Sequence, residues 1–578
     1  MLLAVAMRMT DMSQSGQQQT PVRARVSPPG WIRGYRPSLL AGDSVAGLTL
    51  AAYALPVSLA YAGLANLPPQ VGIYGYLLGG VGYALLGSSR QLAVGPTSAI
   101  SLMIAATVGT LAPGDPVHYA QIASAVAFIV GVLCLLAWWL RLSVLMTLVS
   151  DSILVGFKAG AGLTIIMTQL PSLFGVAGGG HNFFDRAFQF AGQLPNFQPI
   201  VLGIGLIAVV ILIAGERIFP GRPIGLGVVA VSIVVSSFFA LATRGVAITG
   251  DVPAGLPVPA FPKFGMLEFE EVFPLAAGCL LLAYVEGVSA ARSFATKHGY
   301  TLDPRQEFLG LGAANLLVSL GQGYPVAGGL SQSAVNDMSG ARTPLALIIC
   351  SATLALCLMF FTGLLTDLPK TVLAAIVFAA VYKMVDVQAL ARMWRISRID
   401  FYAAAISLGA VLFLGILQGI LLAAIASIML LLLRASQPNV AFVGRVPATG
   451  RLSDMARHSD ARPLPGLVVF RPEASLLYIN SETVLRAVQR TLSTAPRCER
   501  LICDLSAAPF IDLAGTKMLR DLNHELMEDG IEFRIVGAHG QVRDLLRADG
   551  LADEMDSEFW LRSLEGVIDT PSPRHPAL

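Results

Sequence analysis

The chain has 578 residues, of which 54% are hydrophobic and only 13% are charged, and its mean hydropathy is +0.67. Soluble globular proteins carry about 25% charged residues, and the deficit here is concentrated between residues 37 and 434. The composition therefore excludes a wholly soluble protein and predicts a polytopic membrane domain followed by a soluble one. The net charge of +2 gives no argument for a nucleic-acid partner.

Composition divides the chain into four segments. Residues 1–35 form a polar tail rich in Gln, Ser and Pro, which we expect to be disordered. Residues 36–436 form the apolar membrane domain, and residues 437–565 have the charge density of a soluble domain. Residues 566–578 form a short C-terminal tail.

Two short stretches interrupt apolar regions with Gly and Pro and then restart them with Ser or Thr, as a helix N-cap would. They are residues 92–101 (LAVGPTSAIS) and residues 324–333 (YPVAGGLSQS). A broken helix cannot face lipid, because its freed backbone groups would find no partners there. Two interrupted segments at matching places in the two halves of a chain are typical of a transporter binding site.

We expect each stretch to enter the membrane extended and to become helical near the bilayer centre, at about Pro96 and Ser331. A helix N-terminus carries roughly +0.5 charge and several unpaired N–H donors. Two N-termini that face one cavity therefore attract an anion without any Lys or Arg. The predicted substrate-binding residues are Gly95, Pro96, Thr97, Ser98, Gly329, Leu330, Ser331 and Gln332. The alternative is a pair of kinked helices whose Gly and Ser residues serve only packing.

Two ionisable residues fall within apolar segments. A carboxylate at the depth of Glu286 costs at least about 2.5 kcal/mol, so it should face the protein interior. Because burial favours the neutral form of a carboxyl group, Glu286 is the predicted proton-coupling residue; the alternative is a structural hydrogen bond between helices. Lys158 follows Asp151 by seven residues on the same helix face. It is either a snorkelling lysine near the interface or part of an anion path.

Sequence motifs of catalysis do not occur, since the chain has no nucleophile elbow, P-loop or zinc motif. The six cysteines are scattered without metal-ligand spacing. We therefore expect no enzyme activity, no catalytic residues, no metal and no cofactor, and transport that draws on ion gradients.

The soluble segment alternates strand and helix patterns. Its predicted strands and helices indicate a small mixed α/β sheet. The strands are predicted at residues 466–470, 476–479, 500–505 and 532–536, and the helices at residues 482–492 and 514–528.

These features resemble the sulfate permease (SulP) family, relatives of the animal solute carrier 26 family, over about residues 35–560. The resemblance rests on long motifs at residues 46–51, 55–74, 87–96, 297–307, 312–315 and 333–344, and residues 503–515 resemble a STAS domain. It implies a mainly α polytopic membrane protein of fourteen spans, built as a seven-plus-seven inverted repeat with core and gate domains. It also implies a small α/β cytoplasmic STAS domain and a homodimer.

With fourteen spans, the two interrupted stretches fall in the third and tenth spans, which cross the membrane in opposite senses. Only Arg186, Arg244, Lys263 and Lys370 then fall in outer loops, whereas the inner loops and flanks collect most other basic residues of the membrane domain. This positive-inside bias places both termini in the cytoplasm. We expect the protein to lie in the bacterial inner (plasma) membrane.

Three positions depart from patterns in the family. Val57 stands where many relatives carry Gln near the substrate, and Gln332 stands where some animal exchangers carry Arg. The missing fixed charge disfavours a chloride exchanger and favours proton-coupled uptake, although family members that use sodium exist. Ala514 stands where phosphorylated STAS switches carry Ser, so this domain is expected to be a dimerisation or folding module, or a sensor of a nucleotide or partner.

The sequence thus predicts a secondary active anion transporter that moves sulfate, or a similar small anion, inward with protons by an elevator-type motion. The main alternative is a bicarbonate or C4-dicarboxylate symporter coupled to protons or sodium. A passive anion channel and a non-transporting membrane scaffold for the STAS domain are alternatives of other classes. A nucleobase permease would share the fold pattern, but we do not expect it to carry the soluble tail.

Overall fold

The computed structural model describes residues 30–33, 35–112, 114–142, 150–180, 182–219, 222–262, 266–494, 498–555, 558, 560 and 562–568. The described chain forms two compact units that divide between Ser427 and Ile428. Residues 1–29 of the predicted N-terminal tail (1–35) and residues 569–578 of the predicted C-terminal tail (566–578) lie outside the described residues, as does Lys263. In the described part of the N-terminal tail, Gly30–Arg33 form a short helix. The domain boundary at residues 436 and 437 stays a prediction.

The first unit is helical apart from two very short strands. Its elements in chain order are α1 (Leu40–Leu64), α2 (Pro69–Leu86), β1 (Val94–Gly95), α3 (Ser98–Leu111), α4 (Pro116–Trp139), α5 (Asp151–Phe174), α6 (Phe183–Gln193), α7 (Pro199–Ile218), α8 (Ile224–Phe238), α9 (Met266–His298), α10 (Pro304–Leu320), β2 (Ala327–Gly328), α11 (Leu330–Met338), α12 (Leu345–Phe360), α13 (Lys370–Val381), α14 (Val387–Ile396), α15 (Arg398–Leu414) and α16 (Ile416–Ser436), the last of which crosses the division between the units.

Within the described residues, seven helical segments are long and apolar enough to cross a membrane, judged by length and composition. They are Pro37–Leu64, Pro116–Trp139, Asp151–Phe174, Pro199–Ile218, Phe269–His298, Lys370–Ile396 and Ile416–Ser436. The helices α3 and α11 are shorter, with 14 and 9 residues. At 1.5 Å per residue they are about 21 and 14 Å long, which is less than the ~30 Å hydrocarbon core of a bilayer. Neither can cross a membrane alone.

The helices of the first unit pack in two groups. In one group, α10 packs against α2 and α4, and α12 packs against α1 and α2. In the other, α15 and α13 pack against α5, and α7 packs against α13. Glycine permits the closest approaches. A Cβ atom on Gly82 of α2 would lie 2.6 Å from the Cα of Ala314 in α10, and one on Gly156 of α5 would lie 1.9 Å from the carbonyl oxygen of Ala404 in α15.

A buried carboxylate anchors the chain that leads from α2 towards β1. Glu307 on α10 is fully buried, and it accepts hydrogen bonds from the Tyr83 hydroxyl at 2.8 Å and from the Ser88 hydroxyl at 2.6 Å. The backbone N–H groups of Ser88 and Ser89 also donate to it, at 3.0 and 3.2 Å. Charge-assisted hydrogen bonds of this kind are the strong ones, so Glu307 fixes where the extended segment before α3 begins.

The second unit holds a five-stranded sheet in the order β4 (Leu452–Asp454), β3 (Val440–Arg445), β5 (Leu467–Pro472), β6 (Arg500–Asp504) and β7 (Glu532–Val536). Strand β3 runs antiparallel to β4 and β5, whereas β5, β6 and β7 are parallel. Its elements are β3 (Val440–Arg445), β4 (Leu452–Asp454), β5 (Leu467–Pro472), α17 (Ser481–Thr494), β6 (Arg500–Asp504), α18 (Leu513–Glu528), β7 (Glu532–Val536), α19 (Gly540–Ala548), α20 (Leu551–Glu554) and α21 (Leu564–Ile568).

The strand predicted at residues 476–479 is wrong. Only Leu476 forms a bridge, to Ile511, and the chain then turns. The side chain of Asn480 accepts a hydrogen bond from the N–H of Leu477 at 2.9 Å, which closes a local turn just before α17. The prediction also missed β3 and β4.

The Glu307 anchor predicts a large loss of stability on truncation. Glu307→Ala leaves the Tyr83 hydroxyl and the N–H group of Ser88 without their buried acceptor, whereas the N–H group of Ser89 keeps only the Tyr83 hydroxyl at 3.2 Å. Each unsatisfied group costs about 1–3 kcal/mol. We expect the thermal unfolding midpoint in detergent to fall well below that of Glu270→Ala, which removes an exposed carboxylate from α9. Equal midpoints for the two variants would contradict the anchoring role.

Candidate functional site

The two interrupted stretches meet as a pair of antiparallel strands. Val94 pairs with Gly328 and Gly95 pairs with Ala327, and the four residues are buried. Each strand continues directly into a helix, β1 into α3 and β2 into α11. Because the strands are antiparallel, the two helices leave the pair in opposite directions with both N-termini beside it. The breaks predicted within these apolar regions are therefore present, and the helices begin at Ser98 and Leu330, close to the expected Pro96 and Ser331.

Both helix N-termini open on one cavity of about 330 Å³. It brings together most of the predicted site residues, which come from α3, α11, α9 and α5. The lining comprises Tyr53, Val57, Tyr61, Pro96, Thr97, Ser98, Ala99, Lys158, Glu286, Ser289, Ala290, Ser293, Gly329, Leu330, Ser331, Gln332, Ala380, Lys383 and Met384. Of the predicted substrate-binding residues, Gly95 alone is missing from this lining.

Within the described residues, no side chain caps the N-termini of α3 and α11. The N-caps Thr97 and Gly329 form no side-chain cap hydrogen bond, so the first N–H groups of α3 and α11 keep their donor capacity. The Thr97 hydroxyl is buried without a hydrogen-bond partner among the described residues, which is unusual for a native polar group. Ser331 is exposed on the cavity wall. The arrangement suits a small anion.

Gln332, one of the predicted substrate-binding residues, lines the cavity and also holds the two strands together. Its side-chain amide donates to the carbonyl of Ala93 at 2.9 Å and to that of Ala327 at 3.2 Å, and its oxygen accepts from the Tyr76 hydroxyl. Both donors are thus committed to the backbone beside the two strands. In this structure Gln332 fastens β1 to β2 and has no free N–H to offer a ligand.

Gly95 also serves the frame of the site. A Cβ atom at this position would lie 2.4 Å from ring atoms of Tyr76, so the ring occupies the space that a side chain would need. The absence of a side chain at Gly95 lets the Tyr76 ring lie against β1 and place its hydroxyl on Gln332. Gly95 does not line the cavity, and its place among the predicted substrate-binding residues stays a prediction.

Glu286 faces the cavity from the middle of α9. Ser289 and Ser293, three and seven residues later on the same helix face, also line it and are exposed there. Within the described part of the chain, no hydrogen bond or ion pair holds the Glu286 carboxyl, so the alternative of an interhelical hydrogen bond has no support here. Lys158, which also lines the cavity, interacts with it electrostatically.

Sequence reasoning missed several residues of the lining. Tyr53 and Tyr61 flank Val57 at four-residue spacing, so the three share one face of α1. Ser289 and Ser293 were missed in the same way. The sequence did carry a signal for these residues, namely polar side chains at helical spacing from Val57 and Glu286. Lys383 had no such signal, because the fold brings it from the end of α13.

A second cavity of about 440 Å³ adjoins the first and shares Tyr53, Val57, Leu330, Ser331, Ala380 and Lys383 with it. Lys383 forms an ion pair with Glu216 at 2.5 Å, and Arg217 and Arg222 also line this space. Polar space therefore continues from the N-terminus of α11 to a cluster of basic side chains.

The chain belongs to the sulfate permease family, because the model of that family matches residues 40–407 and a STAS domain model matches residues 458–565. It is similar to a probable sulfate transporter of Mycobacterium tuberculosis, with 33% identity over 548 residues that cover 93% of this chain and 98% of the relative. It is also similar to high affinity sulfate transporter 1 of Stylosanthes hamata, with 29% identity, 95% of this chain and 86% of the relative.

Two solved structures share the fold. The murine solute carrier 26 family member A9 anion transporter, in its inward-facing state, superposes with a TM-score of 0.84 at 21% identity and covers 95% of this chain and 94% of its own. The transmembrane domain of the cyanobacterial bicarbonate transporter BicA superposes with a TM-score of 0.59 at 23% identity, over 68% of this chain and 98% of its own. The protein is thus a multi-pass membrane transporter of an anion-transporting family, with a STAS domain, and its family is not one of enzymes.

The contact between Gly95 and Tyr76 predicts a specific steric effect. Gly95→Ala places a methyl group against the Tyr76 ring, and overpacking of this kind costs about 1–3 kcal/mol. We expect a lower thermal midpoint and reduced anion uptake. Gly109→Ala on α3 is the matched control, because a Cβ atom there meets nothing within 4 Å. If the two variants behave alike, the proposed packing of Tyr76 on β1 is incorrect.

Proposed function

We propose that the protein is a secondary active transporter that takes up sulfate, or a similar small oxyanion, together with protons. The observation that carries this proposal is the single cavity shared by the N-termini of α3 and α11 and the carboxyl group of Glu286. A small anion would bind between the N–H groups of the two helices. The hydroxyls of Thr97, Ser98 and Ser331 would complete its hydrogen bonds, with Pro96, Gly329 and Leu330 forming the rest of the wall.

Electrostatics link the anion to the proton. A dianion and an ionised Glu286 repel each other in one small cavity, whereas a protonated Glu286 removes the repulsion and can donate a hydrogen bond. Anion binding therefore favours proton binding, and the coupling is reciprocal. Lys158 offsets part of the negative charge on the anion path.

Helix arrangement supports an elevator-type cycle in which a core domain moves against a gate. The group of α1, α2, α4, α10 and α12 corresponds to the core, and the group around α5, α7, α13 and α15 corresponds to the gate. The opposite directions of α3 and α11 agree with a seven-plus-seven inverted repeat of fourteen spans. A gate fixed in a homodimer would give the core a stationary frame.

Charge distribution supports a cytoplasmic position for both termini in a bacterial inner membrane. The cavity that holds Arg217, Arg222 and Lys383 then lies on the cytoplasmic side. In this orientation the site is open to the inside through Ser331.

A bicarbonate or C4-dicarboxylate symporter, coupled to protons or sodium, is the second candidate. Its support is the fold likeness to BicA, which is named a bicarbonate transporter, and a donor set that would also suit those anions. Uptake into proteoliposomes separates the candidates when labelled sulfate, bicarbonate, fumarate and succinate are offered under set pH and sodium gradients. We expect sulfate to accumulate against its gradient when the outside is acidic. Flux that only dissipates the sulfate gradient would indicate a channel and contradict the proposal.

Glu286→Gln is expected to abolish pH-driven accumulation of sulfate while the protein stays folded, because the amide keeps the shape of the side chain but cannot exchange a proton. The readout is initial uptake at an imposed pH gradient beside sulfate exchange at equal pH. Glu271→Gln, an exposed position on the same helix, is the control and should leave the pH dependence unchanged. Accumulation that still follows the proton gradient in Glu286→Gln would refute the coupling role.

A further inference from the structure

A third cavity lies on the other side of the site, with a volume of about 540 Å³. The positions of its lining residues along three helices show where it lies. On α3 it is lined by Leu102 and Ala105, one and two turns beyond Ser98. On α13 it is lined by Leu373 and Ala374, at the helix end opposite Ala380. On α5 its lining lies beyond Lys158 in the same manner. It therefore faces away from the basic cluster around Lys383.

The charged side chains that line this cavity in the described residues are Arg186 and Lys370, and no acidic residue lines it there. Arg186 is half-buried in the first turn of α6, and its Nε donates to the carbonyl of Gly180 at 3.0 Å. Its neighbour Asp185 interacts with it electrostatically but does not line the cavity. No ion pair within 4 Å holds Arg186 in the described chain, so its terminal N–H groups can donate hydrogen bonds to an anion.

Lys370 occupies an electrostatically unfavourable place, because it is the first residue of α13. The N-terminus of a helix carries partial positive charge, and cations are favoured at the other end. Asp367 lies three residues earlier but does not line the cavity. Lys370 at a helix N-terminus and the half-buried Arg186 line the same cavity, so they concentrate positive charge there, which an incoming anion would offset.

We infer that this cavity is an anion antechamber, a second site in which Arg186 and Lys370 capture the dianionic cargo before it reaches the half-helix site. The inference rests on the proposed function for its cargo and direction. The two sites have different roles. The antechamber gathers anions by charge, which acts over several ångströms, whereas the inner site binds them mainly through helix N–H groups and hydroxyls, with Lys158 and Lys383 also in its lining.

Kinetics of uptake test the antechamber in right-side-out vesicles. The double variant Arg186→Gln/Lys370→Gln should raise the external sulfate concentration for half-maximal uptake by about threefold to tenfold at low salt, since steering by charge is screened as salt rises. The maximal rate and the half-saturation concentration for sulfate from the inside should stay unchanged. Arg244→Gln, an exposed arginine outside the lining, is the control. An unchanged half-saturation concentration, or an equal rise in Arg244→Gln, would overturn the inference.

Chemical labelling tests the same site without relying on transport. Ser172→Cys places a thiol on the cavity wall, where Ser172 is exposed. A negatively charged methanethiosulfonate reagent should react with it about tenfold faster than a positively charged one. The double variant should remove this preference. If the wild-type protein does not accumulate sulfate, the proposed function fails, but the labelling still tests the antechamber. A charge preference that does not depend on Arg186 and Lys370 would refute the antechamber.

Discussion

The site depends on the backbone pairing of Val94 and Gly95 with Ala327 and Gly328. Breaking a helix inside a membrane frees N–H and C=O groups that lipid cannot satisfy, and two separate breaks would double the cost. Pairing the two breaks lets each segment satisfy part of the other. Gln332 adds hydrogen bonds to Ala93 and Ala327, and the Tyr76 hydroxyl holds its oxygen. The helices α3 and α11 can then begin within the membrane, with their first N–H groups directed at the anion.

An inner site whose direct donors are helix N-termini and hydroxyls suits a transporter, with Lys158 and Lys383 elsewhere in its lining and further basic side chains on both sides. A lysine or arginine in direct contact with the anion would bind it strongly but release it slowly. Helix N-termini and hydroxyls supply weaker, fixed dipoles that a change in exposure or protonation can outweigh. Lys383, Arg217 and Arg222 lie along the path on one side, and Arg186 and Lys370 lie on the other. Basic side chains attract the anion in the outer cavities, where water screens their charge. Helix N–H groups and hydroxyls bind the anion at the inner site, where water is excluded.

Much of this arrangement is predictable from the sequence because its cause is local. Gly and Pro within an apolar run, followed by Ser or Thr, give the breaks and helix starts to within two residues. A lone carboxylate such as Glu286 must face the interior because of its desolvation cost. The strand prediction at residues 476–479 failed because an apolar run of four residues does not reveal the turn closed by Asn480.

The roles of Gln332 and Gly95 could not be predicted, since both depend on partners far away in the chain. The Tyr76 ring packs on Gly95, and the Tyr76 hydroxyl donates a hydrogen bond to Gln332, 256 residues later. No periodicity within either segment predicts that contact. The same reason hides Lys383, Arg186 and Lys370, which join their cavities through tertiary packing. Local patterns thus predict which segments form the site, whereas the fold decides which side chains bind and which only hold the frame.

Diffraction at the selenium absorption edge, from crystals grown with selenate as an isostere of sulfate, tests the central claim directly. The account predicts an anomalous peak between the N-terminus of α3 at Thr97 and that of α11 at Ser331. The peak should be weaker in crystals of Glu286→Asp that are kept above neutral pH. Selenate bound only elsewhere, at concentrations that inhibit uptake, would contradict a binding site built from the two opposed helix ends.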